Sequence, residues 1–112
     1  MRITPTPPVH PGEILADDLD ELQISQSQLA RALGVPRSRI NQIVLGRRSI
    51  EAGTALRLAR FFGTSDRYWL NLQARYDLEI TKDALGDALA EVEPLRTAGR
   101  RRRARRASKP VS

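Results

Sequence analysis

The chain has 112 residues, no cysteine, one histidine and a net charge of +6 at neutral pH. This length suits one small domain with a tail, and the lack of cysteine excludes disulfides, thiolate nucleophiles and thiolate metal ligands. A single histidine excludes a histidine-pair metal site, and no apolar run is long enough to span a membrane. We therefore expect a soluble intracellular protein that is not an enzyme, needs no metal or cofactor and does not bind a membrane.

Charge is distributed unevenly along the chain. Residues 31–75 contain nine arginines against two acidic residues, and residues 96–112 contain eight basic residues and no acidic one. Residues 1–30 and 76–95 are net acidic. Positive charge is therefore concentrated in the middle of the chain and in the tail, as a phosphate-binding surface requires.

The N-terminal region predicts an arm followed by a helix. Residues 1–10 are rich in proline and threonine and show no periodicity, which is typical of an extended segment. A helix is predicted to open at Pro11, because proline suits the first turn and acidic residues follow it. Its apolar stripe consists of Ile14, Leu15, Leu19 and Leu22. We interpret His10 as a capping or packing residue, since neither a nucleophile nor a second metal ligand accompanies it.

The next stretch predicts two short helices around a tight turn. Ser25 and Gln28 form a capping-box pattern that starts the first helix. Gly34 ends it, because glycine accepts the left-handed conformation, and Pro36 suits the first position of the second helix. In the second helix, Ile40, Ile43 and Val44 would face inward, and Arg37, Ser38, Asn41 and Gln42 would face outward. This arrangement is typical of a helix-turn-helix that reads the major groove; an ordinary antiparallel helix pair is the alternative.

A basic turn and a further helix follow. Arg47 and Arg48 lie in the turn over residues 46–50, where they could pair with DNA phosphates or simply face solvent. The helix after it is predicted to begin around residues 49–51 and to end at Gly63. Its predicted core face comprises Ala52, Ala55, Leu56, Leu58, Ala59 and Phe62, and its polar residues are Thr54, Arg57 and Arg60.

The last two predicted helices are candidates for packing and for partner binding. One starts at residues 64–66 and runs to about Leu78, with an aromatic stripe that indicates a core or a protein interface rather than a stacking platform for single-stranded bases. The other is an amphipathic acidic helix over residues 81–95, which is too short to be stable alone and is expected to pack on a dimer mate or a partner. The candidate interface residues are Trp69, Leu72, Tyr76, Leu85 and Leu89.

The arginine-rich tail over residues 96–112 cannot form a core and is predicted to be disordered. Counterion release would let it add non-specific affinity for DNA. Binding to RNA or to an acidic partner surface, or a role in solubility alone, are the alternatives.

Across about residues 9–80, the sequence resembles the HigA-type (VapI) addiction-module antitoxins, which belong to the Xre/Cro group of phage-repressor-like DNA-binding proteins. The matching strings are HPGEIL (10–15), QLA (28–30), GVPR (34–37), RINQI (39–43), GRRSI (46–50), TALRLA (54–59), FGTS (62–65) and WLNLQARYDL (69–78). Residues 81–112 depart from the shared pattern. The resemblance implies an all-α, five-helix phage-repressor-like helix-turn-helix domain over residues 11–80, here followed by the short C-terminal helix and the basic tail.

The resemblance also implies a homodimer that binds a palindromic operator in its own promoter. It implies a complex with a HigB-like toxin, a ribosome-dependent mRNA endonuclease, in the bacterial cytoplasm, with nucleoid association when DNA is bound. By residue match, Gln26 and Gln28 would contact the DNA backbone, and Arg37, Ser38 and Gln42 would face base edges. Arg37 suits guanine and Gln42 suits adenine, while Arg39, Arg47 and Arg48 would hold the register without reading sequence. A transcriptional regulator without a toxin, or a protein-interaction module that does not bind DNA, are the alternatives.

Overall fold

The computed structural model describes residues 7–95. The predictions for the tail, and for most of the N-terminal arm, lie outside these residues. Within them the fold is all-α, as predicted, and no strand occurs. The helices are α1 (Pro11–Leu22), α2 (Gln26–Leu33), α3 (Arg37–Val44), α4 (Ala52–Phe62), α5 (Tyr68–Leu85) and α6 (Asp87–Ala90). No helix of the described part combines the length and apolar character needed to cross a membrane.

The first helix begins at a histidine cap. The Nδ1 atom of His10 accepts a hydrogen bond of 2.8 Å from the backbone N–H of Gly12, which satisfies one of the free donors at the helix start. The His10 ring also packs edge-on against Tyr76 of α5, with 4.8 Å between ring centroids. The predicted capping role of His10 is therefore confirmed, and the same side chain joins α1 to α5.

The predicted turn between α2 and α3 is confirmed, except for the position of Pro36. Ser25 and Gln28 form a reciprocal capping box with hydrogen bonds of 2.8 and 3.0 Å. Gly34 takes the left-handed conformation with φ of +73° and ends α2. Pro36 is the residue before α3 and not its first residue. The fixed φ of proline fits both positions, so the sequence could not distinguish them.

Each of the first five helices contributes buried side chains to one hydrophobic core. Its fully buried side chains include Ile40 and Ile43 of α3, and Trp69 of α5 is 0% exposed. The other buried apolar residues are Leu15, Leu19, Leu29, Ala30, Leu33, Ile50, Ala55, Leu58 and Ala59. Because α3 buries one face here, its opposite face is directed outward.

Several residues assigned to the core from periodicity lie elsewhere. Leu22 is 55% exposed at the last residue of α1, and Leu56 is 51% exposed on the outer side of α4. Ala52 is also exposed, whereas Val44 is partly buried and packs against the core as predicted. Thr54, named only as a polar residue of its helix, is 6% exposed. In α4 the buried face is formed by two adjacent pairs of residues, 54–55 and 58–59, so it is rotated away from Leu56.

The C-terminal helices differ from their predicted boundaries. α5 continues to Leu85 and does not end near Leu78, and only the four-residue α6 follows, so the single helix predicted over 81–95 is wrong. No glycine or proline interrupts residues 68–85, and helix propagation is favourable without such a breaker. Gly86, with φ of +52°, separates α5 from α6.

Helix α1 approaches α3 without room for a side chain. A Cβ atom added at Gly12 would overlap the carbonyl oxygen of Ile43. We expect Gly12→Ala to lower the free energy of unfolding by about 2–3 kcal/mol, the cost of overpacking a closed contact. Urea denaturation would measure this. Gly53→Ala is the matched control, because open space surrounds Gly53 in α4 and alanine should stabilise that helix by about 0.5–1 kcal/mol. Equal effects at the two positions would contradict the close approach.

The His10 cap makes stability depend on pH. Burial lowers the pKa of His10 below its ordinary 6.5, with Asp77 and Glu13 opposing the shift. The unfolded chain therefore binds more protons than the folded one just below pH 6.5, so this stabilisation is complete above that pH and is lost as the pH falls. We expect the free energy of unfolding of the wild type to decline between about pH 7.5 and 5.5.

His10→Asn is the control for this pH dependence, because asparagine can still cap the helix but does not titrate. Burial raises the pKa of Asp18 above its ordinary 3.8. Its protonation therefore favours the folded state, and it does so in the wild type and the variant alike. The variant should therefore show a flatter profile than the wild type in urea denaturation at each pH. Identical profiles would show that His10 does not cause the decline.

Candidate nucleic-acid interface

The outer face of α3 is a polar surface held by buried residues on the opposite side of the same helix. Ile40 and Ile43 are fully buried, whereas Arg37, Ser38 and Gln42 are exposed. The structure thus brings the three predicted base-reading residues together on one accessible face. Their donors and acceptors suit the edges of base pairs in the major groove.

Arg39 and Asn41 are half-buried beside this face. The Nδ2 atom of Asn41 donates to Oε1 of Gln26 over 3.2 Å, so Asn41 ties α3 to the first residue of α2. Gln28 uses Oε1 in the capping box, which leaves its amide N–H groups as donors. Both glutamines lie in the first turn of α2, where the helix dipole and free backbone N–H groups favour an anion.

The loop between α3 and α4 carries the exposed pair Arg47 and Arg48. The backbone N–H of Arg47 donates to the carbonyl oxygen of Gln42 over 2.8 Å, and Nη1 of Arg48 donates to Oε1 of Gln42 over 3.2 Å. Gly46 turns the chain with φ of +76°. The two arginines are therefore held beside the last turn of α3. The loop thus adds positive charge next to the polar face of α3.

A residue that the sequence analysis missed fixes the far end of this loop. Gln73 of α5 is 5% exposed; its Oε1 accepts from the N–H of Ile50 over 2.8 Å, and its Nε2 donates to Asp77 over 3.0 Å. The available signal was its spacing, four residues after Trp69 and three before Tyr76, which puts a polar residue on the apolar stripe of α5. A polar residue at such a position must find a buried partner.

A second missed residue supports the end of α2. Arg57 of α4 donates through Nη1 to the carbonyl oxygen of Leu33 over 2.6 Å. This contact satisfies a free carbonyl at the C-terminus of α2 and places a positive charge where the helix dipole favours it. The turn that orients α3 is thereby held from α4.

The predicted interface residues do not form one surface. Trp69 is fully buried, so its assignment to an interface is wrong and the alternative interpretation as core is correct. Leu72 and Tyr76 are partly buried, and Leu72 packs against the core. Leu85 and Leu89 are exposed at the end of α5 and in α6, and a partner contact there stays a prediction.

Opposite charges lie on different elements of the described structure. The α3 face and its loop carry arginines, whereas the exposed segment 77–95 has six acidic residues and one lysine. A polyanion is attracted to the first surface and repelled by the second. The site therefore has the geometry and charge of a nucleic-acid interface centred on α3.

Comparison with known proteins agrees with this geometry. The helix-turn-helix family profile matches residues 15–69. Virulence-associated protein I of Dichelobacter nodosus is 49% identical over 77 residues, which cover 68% of this chain and 71% of that protein.

Solved structures extend the likeness to the fold. A HigA-family addiction module antidote protein from Coxiella burnetii has a TM-score of 0.78 and 48% identity, covering 80% of this chain and 100% of that one. The Pseudomonas aeruginosa antitoxin HigA, solved with the higBA promoter, has a TM-score of 0.75 and 47% identity, covering 80% and 99% of the two chains. The chain therefore belongs to the HigA-type antitoxin family of helix-turn-helix DNA-binding proteins.

Proposed function

We propose that this chain is a homodimeric, sequence-specific repressor that binds an operator in its own promoter and acts as the antitoxin of a type II toxin–antitoxin module. The observation that carries the proposal is the exposed polar face of α3 next to the Arg47–Arg48 loop. The Pseudomonas aeruginosa relative, which was solved with promoter DNA, supports DNA binding by a chain of this fold.

Within the proposed complex, α3 lies in the major groove and its first turn meets the bases. Arg37 is exposed at the start of α3, where its guanidinium can donate two hydrogen bonds to a guanine, and Ser38 lies beside it. Arg39, Arg47 and Arg48 bind phosphates and hold the register. Gln26 and Gln28, in the first turn of α2, bind the DNA backbone as well.

A homodimer would present two copies of α3 to two half-sites. In helix-turn-helix dimers such half-sites lie about 34 Å apart, one turn of the duplex. The exposed Leu85 and Leu89 are the candidates for the contact between copies, because burying their apolar surface would favour association.

The antitoxin part of the proposal assigns this chain a HigB-like mRNA endonuclease as its partner. Its support is the description of the Coxiella burnetii neighbour as an addiction module antidote. In cells arrested by a HigB-like toxin from the same genome, coexpression of this chain should restore growth, and the two proteins should purify as a stable complex. The Arg37→Ala variant, changed only on the DNA face, should still restore growth. If the toxin still arrests growth when the wild-type chain is coexpressed, the chain is a transcriptional regulator and not the antitoxin of this toxin.

Two substitutions separate base reading from phosphate binding. Arg37→Ala should weaken operator binding by about 1–3 kcal/mol and leave binding to a random duplex nearly unchanged, because it removes a base contact. Arg47→Ala should weaken binding to the operator and to the random duplex equally, because it removes a phosphate contact. The slope of log K against log salt concentration should become shallower by about one. Fluorescence anisotropy across a salt series measures both effects.

Each substitution is the other's control, since each removes one exposed arginine from the same surface. If Arg37→Ala weakens binding to the operator and to the random duplex equally, Arg37 does not read a base. The absence of salt-dependent duplex binding by the wild type would instead favour the protein-interaction module.

A further inference from the structure

The loop between α3 and α4 is held in two different ways along its length. At its start, the backbone N–H groups of Gly46 and Arg47 donate to carbonyl oxygens of α3 over 2.9 and 2.8 Å. The contact of Arg48 with α3 runs instead through exposed side chains, so it does not fix the backbone. Within the described residues, α3 therefore holds the main chain of the first half of the loop and not that of the second half.

One buried contact from α5 holds the second half. Among the main-chain N–H groups of residues 48–51, that of Ile50 alone has an acceptor in the described part of the chain, and this acceptor is Oε1 of Gln73 over 2.8 Å. Ile50 is 1% exposed and Gln73 is 5% exposed. Nε2 of Gln73 in turn donates to Oδ1 of Asp77 over 3.0 Å. Because a backbone N–H only donates and a carboxylate only accepts, the two contacts together fix the orientation of the amide.

Loss of the Gln73 acceptor would shift the main chain of the loop. A buried N–H group without a partner costs free energy, and such groups in folded proteins nearly always have one. The loop escapes this cost by moving until water reaches the N–H of Ile50. Arg48 lies two residues before Ile50 and moves with it, whereas Arg47 stays bonded to α3.

We infer that Gln73 is the positioning residue for phosphate binding by Arg48. This inference rests on the proposed DNA-binding function, which assigns a phosphate contact to Arg48. Gln73 is buried on α5 and does not itself meet DNA; it acts through the backbone of Ile50. Two neighbouring arginines of one loop should therefore depend on Gln73 to different degrees.

Gln73→Met in the full chain tests the inference, because methionine has a similar length but neither the amide donor nor the amide acceptor. Fluorescence anisotropy over a salt series would measure binding to the operator and to a random duplex. We expect Gln73→Met to weaken both by the same factor as Arg48→Ala. The slope of log K against log salt concentration should become shallower by about one, as for one lost phosphate contact.

Combined variants separate this role from a general effect on the fold. Added to Arg48→Ala, Gln73→Met should cause no further loss of DNA binding, because the contact on which it acts is already absent. Added to Arg47→Ala, it should cause its full loss. Arg47→Ala is the matched control, since it removes the same charge from the neighbouring residue.

Exchange of the amide and the carboxylate provides a rescue. In the double variant Gln73→Glu with Asp77→Asn, a carboxylate at position 73 still accepts from the N–H of Ile50, and an amide at position 77 can donate to it. The net charge of the chain is unchanged. We expect wild-type affinity and a wild-type salt slope, with urea denaturation used to check that each variant is folded. This exchanged pair decides the test if Gln73→Met does not fold.

Three results would overturn the inference. The first is that Gln73→Met lowers the free energy of unfolding but leaves DNA binding unchanged. The second is that it causes its full loss of binding in the Arg48→Ala background as well. The third is that the folded exchanged pair binds DNA as weakly as Arg48→Ala. Failure of the proposed function would be seen separately, as the absence of salt-dependent duplex binding by the wild type.

Discussion

The close approach of α1 to α3 at Gly12 is the constraint on which the proposed DNA-binding surface depends. A side chain at this position would strike the carbonyl oxygen of Ile43, so the two helices can meet only where the chain has a glycine. The same turn of α1 is capped by His10, whose ring also lies against Tyr76 and beside Gly46 at the start of the basic loop. One small region thus sets the position of α3 and of its loop together.

The proposed DNA-binding surface is held in place by polar contacts that come from other helices. Gln73 fixes the end of the loop from α5, and Arg57 closes the end of α2 from α4. On the surface itself, Arg48 donates to Gln42. Charge also distinguishes two surfaces, because arginines lie around α3 whereas the exposed segment 77–95 is acidic. Duplex DNA and a protein partner could therefore bind to different parts of one small chain.

Local patterns predicted the fold well where a cap or a turn determined it. The Ser25 capping box, the left-handed Gly34 and the His10 cap all follow from short-range chemistry. Long-range contacts were missed, because nothing near Gln73 in the sequence shows that its partner is the backbone of Ile50. Periodicity also misassigned Leu56, since it shows that a helix has an apolar side but not which neighbours cover it. The Arg48–Gln42 contact depends on the path of the loop, which the sequence does not specify.

The most direct test of the account maps the surface that DNA touches. Backbone amide chemical shifts of the full chain would be followed by NMR while a duplex from its own promoter is added. We predict that the shifts change at the start of α2, along α3 and in the loop over residues 46–50, with little change over residues 77–95. Changes centred on residues 77–95, or none at all, would contradict the assignment of α3 and its loop as the DNA-binding surface.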